Sequence, residues 1–117
     1  MNDGVRKIIQ AQDGSVWFGT DRGVSRYDGE KFVTFTTEDG LAQNVIRSLY
    51  QDREGYIWIG TRARGISRYD GEKFETFTRR DGLAGNGIRS TLQDQEGILW
   101  IGTRGGGVSR YDGKSFE

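Results

Sequence analysis

Residues Tyr56–Phe77 read Y-I-W-I-G-T-R-A-R-G-I-S-R-Y-D-G-E-K-F-E-T-F, and related copies of this stretch occur once before it and once after it. The tryptophan of the first copy, Trp17, lies 41 residues before Trp58, and Trp100 of the third copy lies 42 residues after it. A fixed period of this length is typical of repeat proteins, in which each unit buries its apolar surface against its neighbours. The 117 residues therefore form one repeat domain, with predicted units at 3–43, 44–85 and 86–117.

Short apolar runs within each unit predict β-strands of about five residues. In the first unit they cover residues 5–10, 16–20, 24–27 and 32–36, and the Asp-Gly pairs between them favour tight hairpin turns. The second unit repeats these strands at 46–51, 56–61, 66–69 and 74–78, and the third at 88–93, 98–103 and 108–111, with a fourth strand that only begins at Phe116. No window has a sustained apolar stripe of helical period, so the sequence predicts no helix.

The second strand of each unit decides between all-β architectures. In I-W-I-G, Ile57 and Ile59 point to one face of the sheet and Trp58 to the other, so both faces are apolar. A sandwich sheet with one solvated face would alternate apolar and polar residues instead. A sheet covered on both faces fits a β-propeller blade, and the sequence predicts three antiparallel four-stranded blades, the third incomplete. The expected core between blades consists of Trp17, Phe18, Trp58, Ile59, Trp100 and Ile101.

Three recurring elements, W-I-G-T, G-hydrophobic-S-R-Y-D-G and D-G-L-A-x-N, resemble the two-component regulator propeller repeat. The resemblance covers essentially the whole chain in three copies that are in phase. It implies blades of the kind found in extracytoplasmic sensor propellers of bacterial hybrid histidine kinases, many of which respond to glycans, and hence a periplasmic origin. The chain departs from that pattern because it carries no transmembrane helix, no kinase and few blades.

Charge and composition exclude several classes of partner. Seventeen basic side chains balance 17 acidic ones, so no overall field attracts nucleic acid or an anionic membrane. The absence of cysteine excludes disulfides and thiolate sites. No apolar run approaches the roughly 20 residues that span a bilayer, and the start M-N-D-G-V-R-K-I-I-Q lacks the apolar core of a signal peptide. As written, the chain is expected to be soluble and to stay where it is made.

Metal binding and catalysis have little support in the sequence. Calcium takes about six to eight oxygen ligands, but D-R-E-G at Asp52 and D-Q-E-G at Asp94 do not match an EF-hand loop, and Ala11 occupies the same place in the first unit. Turn chemistry explains the Asp-Gly pairs better. Catalysis needs an acid–base pair or an activated nucleophile, and histidine is absent together with cysteine. We therefore expect no enzyme activity, no cofactor and no metal; related propeller lyases that act on cyclic peptide antibiotics need histidine.

Ligand binding is expected on one rim of the propeller, where the link after each fourth strand meets the turn between strands two and three. The candidate residues are Asp21, Arg22, Glu38, Asn44, Arg62, Arg64, Arg79, Arg80, Asn86 and Arg104. The arginines vary between units on a constant framework of strands, which suits a recognition surface for an anionic or hydroxyl-rich ligand such as a glycan. The alternative is a rim that is merely solvated.

Three arginines that are the same in every unit are predicted to be structural instead. Arg26, Arg68 and Arg110 stand in S-R-Y-D-G, where each is expected to pair with a nearby carboxylate or with a carbonyl of the adjacent strand. The carboxylates in question are those of Asp28, Asp70 and Asp112.

Assembly with further copies of the same chain is the strongest expectation. Propellers typically close with about four to eight blades, whereas this sequence supplies at most three. Because the units are alike, the outer face of the last blade should fit the outer face of the first in a head-to-tail contact, which closes into a ring if the rotation allows it. Two chains would give six blades and three would give nine. The alternative function is a purely structural or engineered propeller fragment without a ligand, since 20 of 31 positions are identical between 44–74 and 86–116.

Overall fold

The computed structural model describes residues 4–117 as three antiparallel β-sheets, which confirms the predicted all-β class. The predicted first residue of unit one, residue 3, lies outside this range. We call the sheets blades 1, 2 and 3. Blade 1 contains β1 (Lys7–Gln10), β2 (Val16–Thr20), β3 (Gly23–Tyr27) and β4 (Phe32–Phe35). Blade 2 contains β5 (Ile46–Gln51), β6 (Ile57–Thr61), β7 (Ile66–Tyr69) and β8 (Phe74–Phe77). Blade 3 contains β9 (Ile88–Gln93), β10 (Leu99–Thr103) and β11 (Gly107–Tyr111).

Each blade is a meander in which consecutive strands are hydrogen-bonded neighbours. The first strands β1, β5 and β9 contact one another in that order, so they form the inner edge of the blades. Blade 3 has only the start of a fourth strand, because Tyr111 and Phe116 form an isolated bridge. The bridge continues in two backbone hydrogen bonds between Arg110 and Glu117, of 2.8 and 3.0 Å.

The links between blades contain two short 3-10 helices, Thr37–Asp39 and Arg79–Asp81, so the prediction of no helix is wrong at these positions. In the first link the Thr36 hydroxyl accepts the Glu38 amide, the Asp39 carboxylate accepts the Thr36 amide, and Gly40 ends the turn at φ 103°. The local sequence T-x-x-D-G is a capping box followed by a glycine that accepts a left-handed conformation. An apolar stripe could not reveal such a turn, because the turn buries no side chain.

Two apolar clusters fill the two junctions between blades. The first joins Trp17 and Val24 of blade 1 to Ile46, Ile57 and Ile59 of blade 2. The second joins the equivalent residues of blades 2 and 3, with Trp58 and Ile66 on one side and Ile88, Leu99 and Ile101 on the other. The second strand of blade 2 therefore packs against a neighbouring blade on both of its faces, as its two-sided apolar pattern requires.

Adjacent blades approach closely at the glycine that follows each core tryptophan. A Cβ added at Gly19 would lie 2.7 Å from Ile46 Cγ2, and one added at Gly60 would lie 2.7 Å from Ile88 Cβ. Real Cβ atoms do not make such contacts, so only glycine allows the isoleucine of the next blade to pack against the second strand. At Gly102, which no further blade covers, the nearest atom is Ser90 Oγ of the same blade at 3.0 Å.

The tryptophans of the three blades differ in exposure. Trp17 and Trp58 are buried, Trp58 with 1% of its surface exposed, whereas Trp100 is 39% exposed. Trp100 is predicted to lie in the core, but in the single chain it is partly exposed because no further blade covers its face of blade 3. Phe18 is only partly buried for the same reason, since it lies on the opposite, uncovered side of blade 1.

An aspartate holds the tryptophan in two of the three blades. The carboxylate of Asp52 accepts the Trp58 indole N–H at 2.8 Å and the Tyr56 amide at 2.9 Å, and Asp94 accepts the Trp100 indole N–H at 2.8 Å. Blade 1 carries Ala11 at the equivalent position. Among the described residues, the Trp17 indole N–H consequently has no hydrogen-bond acceptor.

The three repeated arginines form ion pairs with other carboxylates than those predicted from the sequence. Arg26 pairs with Asp13 at 3.1 Å, Arg68 with Glu75 at 2.6 Å and Arg110 with Glu117 at 3.3 Å. The sheet register decides this, because Arg68 lies directly opposite Glu75. Asp28, Asp70 and Asp112 are used within their own turns, where each accepts two backbone N–H groups.

Truncation of the buried tryptophan should cost more stability than truncation of the exposed one. We expect Trp58→Ala to lower the free energy of unfolding by about 3–5 kcal/mol, as for other buried large aromatics. Trp100→Ala should cost clearly less in dilute protein, because much of that ring is already in water. Urea unfolding of both variants at low protein concentration measures the difference. Equal losses of unfolding free energy would show that Trp58 and Trp100 are equally buried and contradict the prediction.

A carboxylate introduced at the alanine of blade 1 should stabilise the protein. Ala11→Asp supplies the acceptor that Trp17 lacks, so we expect the free energy of unfolding to rise by about 1 kcal/mol. The reciprocal change, Asp52→Ala, should lower it by about 1–3 kcal/mol, because it leaves a buried indole N–H and an amide unsatisfied. Thermal or urea unfolding checks both, and a destabilised Ala11→Asp variant would contradict the equivalence of the two positions.

Candidate ligand-binding rim

The rim is built from two kinds of loop that an asparagine ties together. The Asn44 backbone carbonyl accepts the Gly23 amide of the β2–β3 turn at 2.6 Å, and its side-chain Oδ1 accepts the Thr37 amide of the preceding link at 2.9 Å. Asn86 repeats both bonds, with Gly65 at 2.7 Å and Arg79 at 2.9 Å. The side-chain oxygens of Asn44 and Asn86, both predicted ligand-binding residues, are thus occupied in holding the rim together.

The remaining elements of D-G-L-A-x-N anchor the link above the junction between blades. Leu41 and Leu83 are buried in the first and second apolar clusters, respectively. The amide that follows each leucine donates to a serine of the third strand, from Ala42 to Ser67 at 3.0 Å and from Ala84 to Ser109 at 2.6 Å. The links are therefore fixed at both ends and hold the rim side chains on a rigid base.

Four arginines from blades 2 and 3 line one cavity of about 400 Å³ on this rim, and we call it the arginine cavity. Arg47 and Arg89 lie near the start of β5 and β9, and Arg62 and Arg104 lie in the turns after β6 and β10. Gly87 and Ile88 complete the lining. The two turns are held beside the strands by amide bonds, from Arg62 to the Val45 carbonyl at 3.0 Å and from Arg104 to the Gly87 carbonyl at 2.7 Å.

Asp21 takes the same place in blade 1 as Arg62 and Arg104 take in blades 2 and 3, and it forms ion pairs. Its carboxylate lies 3.0 Å from Arg47 Nη1 and 3.5 Å from Arg6 Nε. The hydrogen bond from Arg47, followed by that from Arg6, lowers the pKa of Asp21 below its ordinary value. The junction of blades 1 and 2 is thus bridged by opposite charges, whereas the junction of blades 2 and 3 has arginine in every equivalent position.

The other candidate residues are spread along the rim. Arg79 and Asn86 line a neighbouring cavity of about 330 Å³, and Arg104 belongs to both cavities. The side chains of Arg22, Glu38, Arg64 and Arg80 are exposed and lie outside these two cavities. Of the ten candidate residues, the structure therefore brings Arg62 and Arg104 together in one cavity, and Arg79, Asn86 and Arg104 in the other.

Arg47 and Arg89 are the members of the cavity that sequence reasoning missed. Together with Arg6 they form a set of arginines at one position of the repeat, directly after Val5, Ile46 and Ile88. The predicted binding residues are ones that vary between units, whereas these three arginines are the same in every unit. Their invariance is the sequence signal that could have identified them. Their position on the innermost strands places them at the inner edge of the rim.

A further cavity of about 280 Å³ lies between blades 1 and 2, at the opposite end of the strands. Ala11, Trp17, Arg26 and Gln51 are among its lining residues, together with Asp13. Hydrogen bonds from the Ser15 hydroxyl and amide, and more weakly from Arg26, lower the pKa of Asp13 to about 2. In residues 4–117, no cluster of three or more acidic or histidine side chains is placed to hold a metal ion.

The fold and the repeat are shared with known proteins. The profile described as "two component regulator propeller" matches residues 40–63 and 82–105. The extracellular domain assigned to a hybrid two-component system of B. thetaiotaomicron is similar to 97% of the chain, with 27% identity and a TM-score of 0.84. An extracellular domain assigned to a one-component system of the same organism has 21% identity and a TM-score of 0.82, also over 97% of the chain.

The chain spans only 16% and 18% of the lengths of these two structures. A catalytically inactive virginiamycin B lyase from Staphylococcus aureus, with quinupristin, is similar over 99% of the chain and 41% of its own length, at 18% identity and a TM-score of 0.74. No curated protein sequence matches at a significant level. Within the described residues, no helix has the length and hydropathy needed to cross a membrane.

The three sheets, their meander topology and these similarities define the chain as a set of β-propeller blades. The two matches to the two-component regulator propeller model confirm the resemblance seen in the sequence. The chain is related to sensor domains of two-component systems.

The lowered pKa of Asp13 should depend on the Ser15 hydroxyl, which donates to its carboxylate at 2.6 Å. Ser15→Ala should raise the pKa of Asp13 from about 2 toward the ordinary value of 3.8, as followed by NMR titration of the side-chain carboxyl. Because the folded pKa is the lower one, this carboxylate adds stability above about pH 4 that is lost as pH falls toward 2. Ser115→Ala is the matched control, because Ser115 donates to Asp112 through its backbone amide and the pKa of Asp112 should therefore stay the same. An equal rise in the pKa of Asp112 would contradict the role of the Ser15 hydroxyl.

Proposed function

We propose that the chain is a non-catalytic β-propeller module that closes into a ring with further copies of itself and presents a ligand-binding rim. One observation supports the proposal of assembly. The outer face of blade 3 and the outer face of blade 1 carry the equivalents of the residues that pack together at the two junctions inside the chain.

The uncovered face of blade 3 corresponds to the face that blade 2 buries against it. Leu92, Trp100 and Val108 occupy the places that Tyr50, Trp58 and Ile66 occupy in blade 2. The buried versions lie in or against the second apolar cluster. In blade 3 the same positions are exposed, Val108 with 61% of its surface.

The uncovered face of blade 1 corresponds to the other half of the junction. Ile8 and Phe32 stand where Leu49 and Phe74 stand in blade 2, and Leu49 and Phe74 belong to or pack against the first apolar cluster. Ile8 is 58% exposed and Phe32 is similarly uncovered. Soluble monomers rarely expose apolar patches of this kind, and head-to-tail contact between two copies would bury both faces.

The absence of catalysis is supported by the chemistry of the side chains. The sequence has no histidine and no cysteine. The aspartates with a shifted pKa all have it lowered by hydrogen bonds from arginine, serine, tryptophan or backbone groups, which is the opposite of what a general acid at neutral pH requires.

Ligand binding is the second candidate function, and the arginine cavity is the observation that favours it. The rim is rigid, and it concentrates planar guanidinium donors that recognise anionic or hydroxyl-rich groups, including those of glycans. A purely structural ring without a ligand is the alternative, in which the arginines would only be solvated.

Light scattering coupled to size exclusion tests ring closure. We expect the mass of two or three chains, with six or nine blades, instead of the 13.2 kDa of one chain. Gly102→Ala should abolish assembly and keep the fold, because the added Cβ meets only a rotatable Ser90 hydroxyl at 3.0 Å within the chain. In the ring it would meet Val5 of the next copy, which is equivalent to Ile46 and Ile88.

Glu96→Ala, an exposed change in the turn before β10, is the control that should leave the mass unchanged. A wild-type protein that remains a folded monomer at micromolar concentration would overturn the proposal. So would a Gly102→Ala variant that assembles like the wild type.

A further inference from the structure

We propose that the arginine cavity binds a ligand that carries at least two linked oxyanion groups, of which inorganic pyrophosphate is the simplest representative. This inference deepens the ligand-binding part of the proposed function. It does not depend on ring closure, because Arg47, Arg62, Arg89 and Arg104 all come from blades 2 and 3 of one chain.

The arginine cavity carries an excess of positive charge. Within the described residues, Arg62, Arg89 and Arg104 form no ion pair with a carboxylate, and Arg47 reaches only Asp21. Like charges held at one site repel each other unless a counter-charge joins them. Backbone bonds of the turns hold the main chain of Arg62 and Arg104 beside the inner strands, so the four side chains line one cavity.

The two junctions carry different charges at equivalent positions. At the junction of blades 1 and 2, Arg47 of the inner strand meets Asp21 of the preceding turn at 3.0 Å. At the junction of blades 2 and 3, the inner-strand arginine is Arg89 and the preceding turn carries Arg62. One junction therefore contains its own carboxylate, and the other has the same arginine with the carboxylate replaced by a second cation.

The number and chemistry of the donors define the class of ligand. A guanidinium presents a planar fork that binds phosphate, sulfate or carboxylate oxygens through two hydrogen bonds. Four guanidiniums line about 400 Å³, and three of them have no carboxylate partner among the described residues, so the cavity has room and donors for more than one anionic group. A ligand with two linked anionic groups can contact the arginines of both turns and of both inner strands at once.

Glycine keeps the floor of the cavity accessible. A Cβ at Gly87 would lie 2.7 Å from the Arg62 carbonyl and 3.3 Å from Arg104 Cβ, between the two turns. The loop that follows Arg104 consists of Gly105, Gly106 and Gly107, so no side chain from that turn covers the entrance. Ile88 supplies an apolar base that is itself buried.

Isothermal titration at low ionic strength tests the proposal with three probes: pyrophosphate, orthophosphate and a neutral disaccharide. We expect pyrophosphate to bind one site per chain, at least tenfold more tightly than orthophosphate, and to weaken as salt is added. The neutral sugar should not bind there. Saturable binding of the sugar at this cavity with no response to pyrophosphate would overturn the inference.

Arg62→Asp is the decisive variant, because it gives the second junction the residue of the first. We expect it to weaken pyrophosphate binding by more than tenfold and, without ligand, to raise the melting temperature by forming a pair with Arg89. Arg64→Asp makes the same charge change in the same turn but outside the cavity, and its affinity should stay within about threefold of the wild type. Equal effects of the two changes would show a non-specific charge effect and refute the site.

Asp21→Arg provides a test by gain of function. It removes the carboxylate that pairs with Arg47 and gives the junction of blades 1 and 2 the charges of the second junction, so pyrophosphate should bind this variant more tightly than the wild type. A folded variant whose affinity for pyrophosphate is unchanged or lower would contradict the proposed role of the unpaired arginines. If the wild type proves monomeric yet binds pyrophosphate as described, ring closure fails and the anion site stands.

Discussion

The structure depends on how closely one blade can approach the next. Gly19 and Gly60 leave just enough room for Ile46 and Ile88 of the following blade to pack against the backbone of β2 and β6. This contact sets the distance at which the tryptophans can pack against the aromatic rings of their neighbours, such as Trp58 against Tyr111, with ring centroids 5.6 Å apart. Without the glycine the isoleucine would be displaced, and the core of the junction would lose its packing on both sides.

Hydrogen bonds between side chains and the backbone fix the loops at the ends of the packed strands. The Asp52 carboxylate fixes both the Trp58 ring and the turn before β6. At the other end, Asn44 and Asn86 connect each link to the turn of the previous blade. Because each loop is held by groups that the fold itself supplies, residues on the rim can vary without disturbing the junctions. The same rigid loops hold the arginines of the arginine cavity near one another, although their like charges repel.

The sequence predicted the parts of the fold that follow from periodicity. The strands, the repeat and the two-sided second strand could be read directly, since each buried position recurs with the same chemistry in every unit. The position of a residue in the repeat does not predict its burial or its partner where equivalent residues have different neighbours. Trp100 has the sequence context of Trp58 but no blade beyond it, and the partners of Arg26, Arg68 and Arg110 depend on sheet register and on residues outside the shared motif. For the rim, a search for variable residues found Arg62 and Arg104 but not Arg47 and Arg89, whose role depends on the neighbours that the fold brings to them.

The difference between the junctions also bears on how blades are matched. The apolar contacts are nearly the same at every junction, so they favour association of blades without distinguishing one neighbour from another. Charge at the rim can distinguish one neighbouring blade from another. Asp21 attracts Arg47 of the next blade, whereas Arg62 repels Arg89 unless an anion is bound.

In a closed ring, Arg104 would meet Arg6 of the next copy, and Arg6 already has Asp21 beside it at 3.5 Å. The contact between copies would thus be intermediate between the two internal junctions: a carboxylate is present, but it is shared with the arginine of the following blade. In the proposed ring, a ligand that neutralises the rim would act on the same charges that influence ring closure. Ligand recognition would then be coupled to assembly through electrostatics alone.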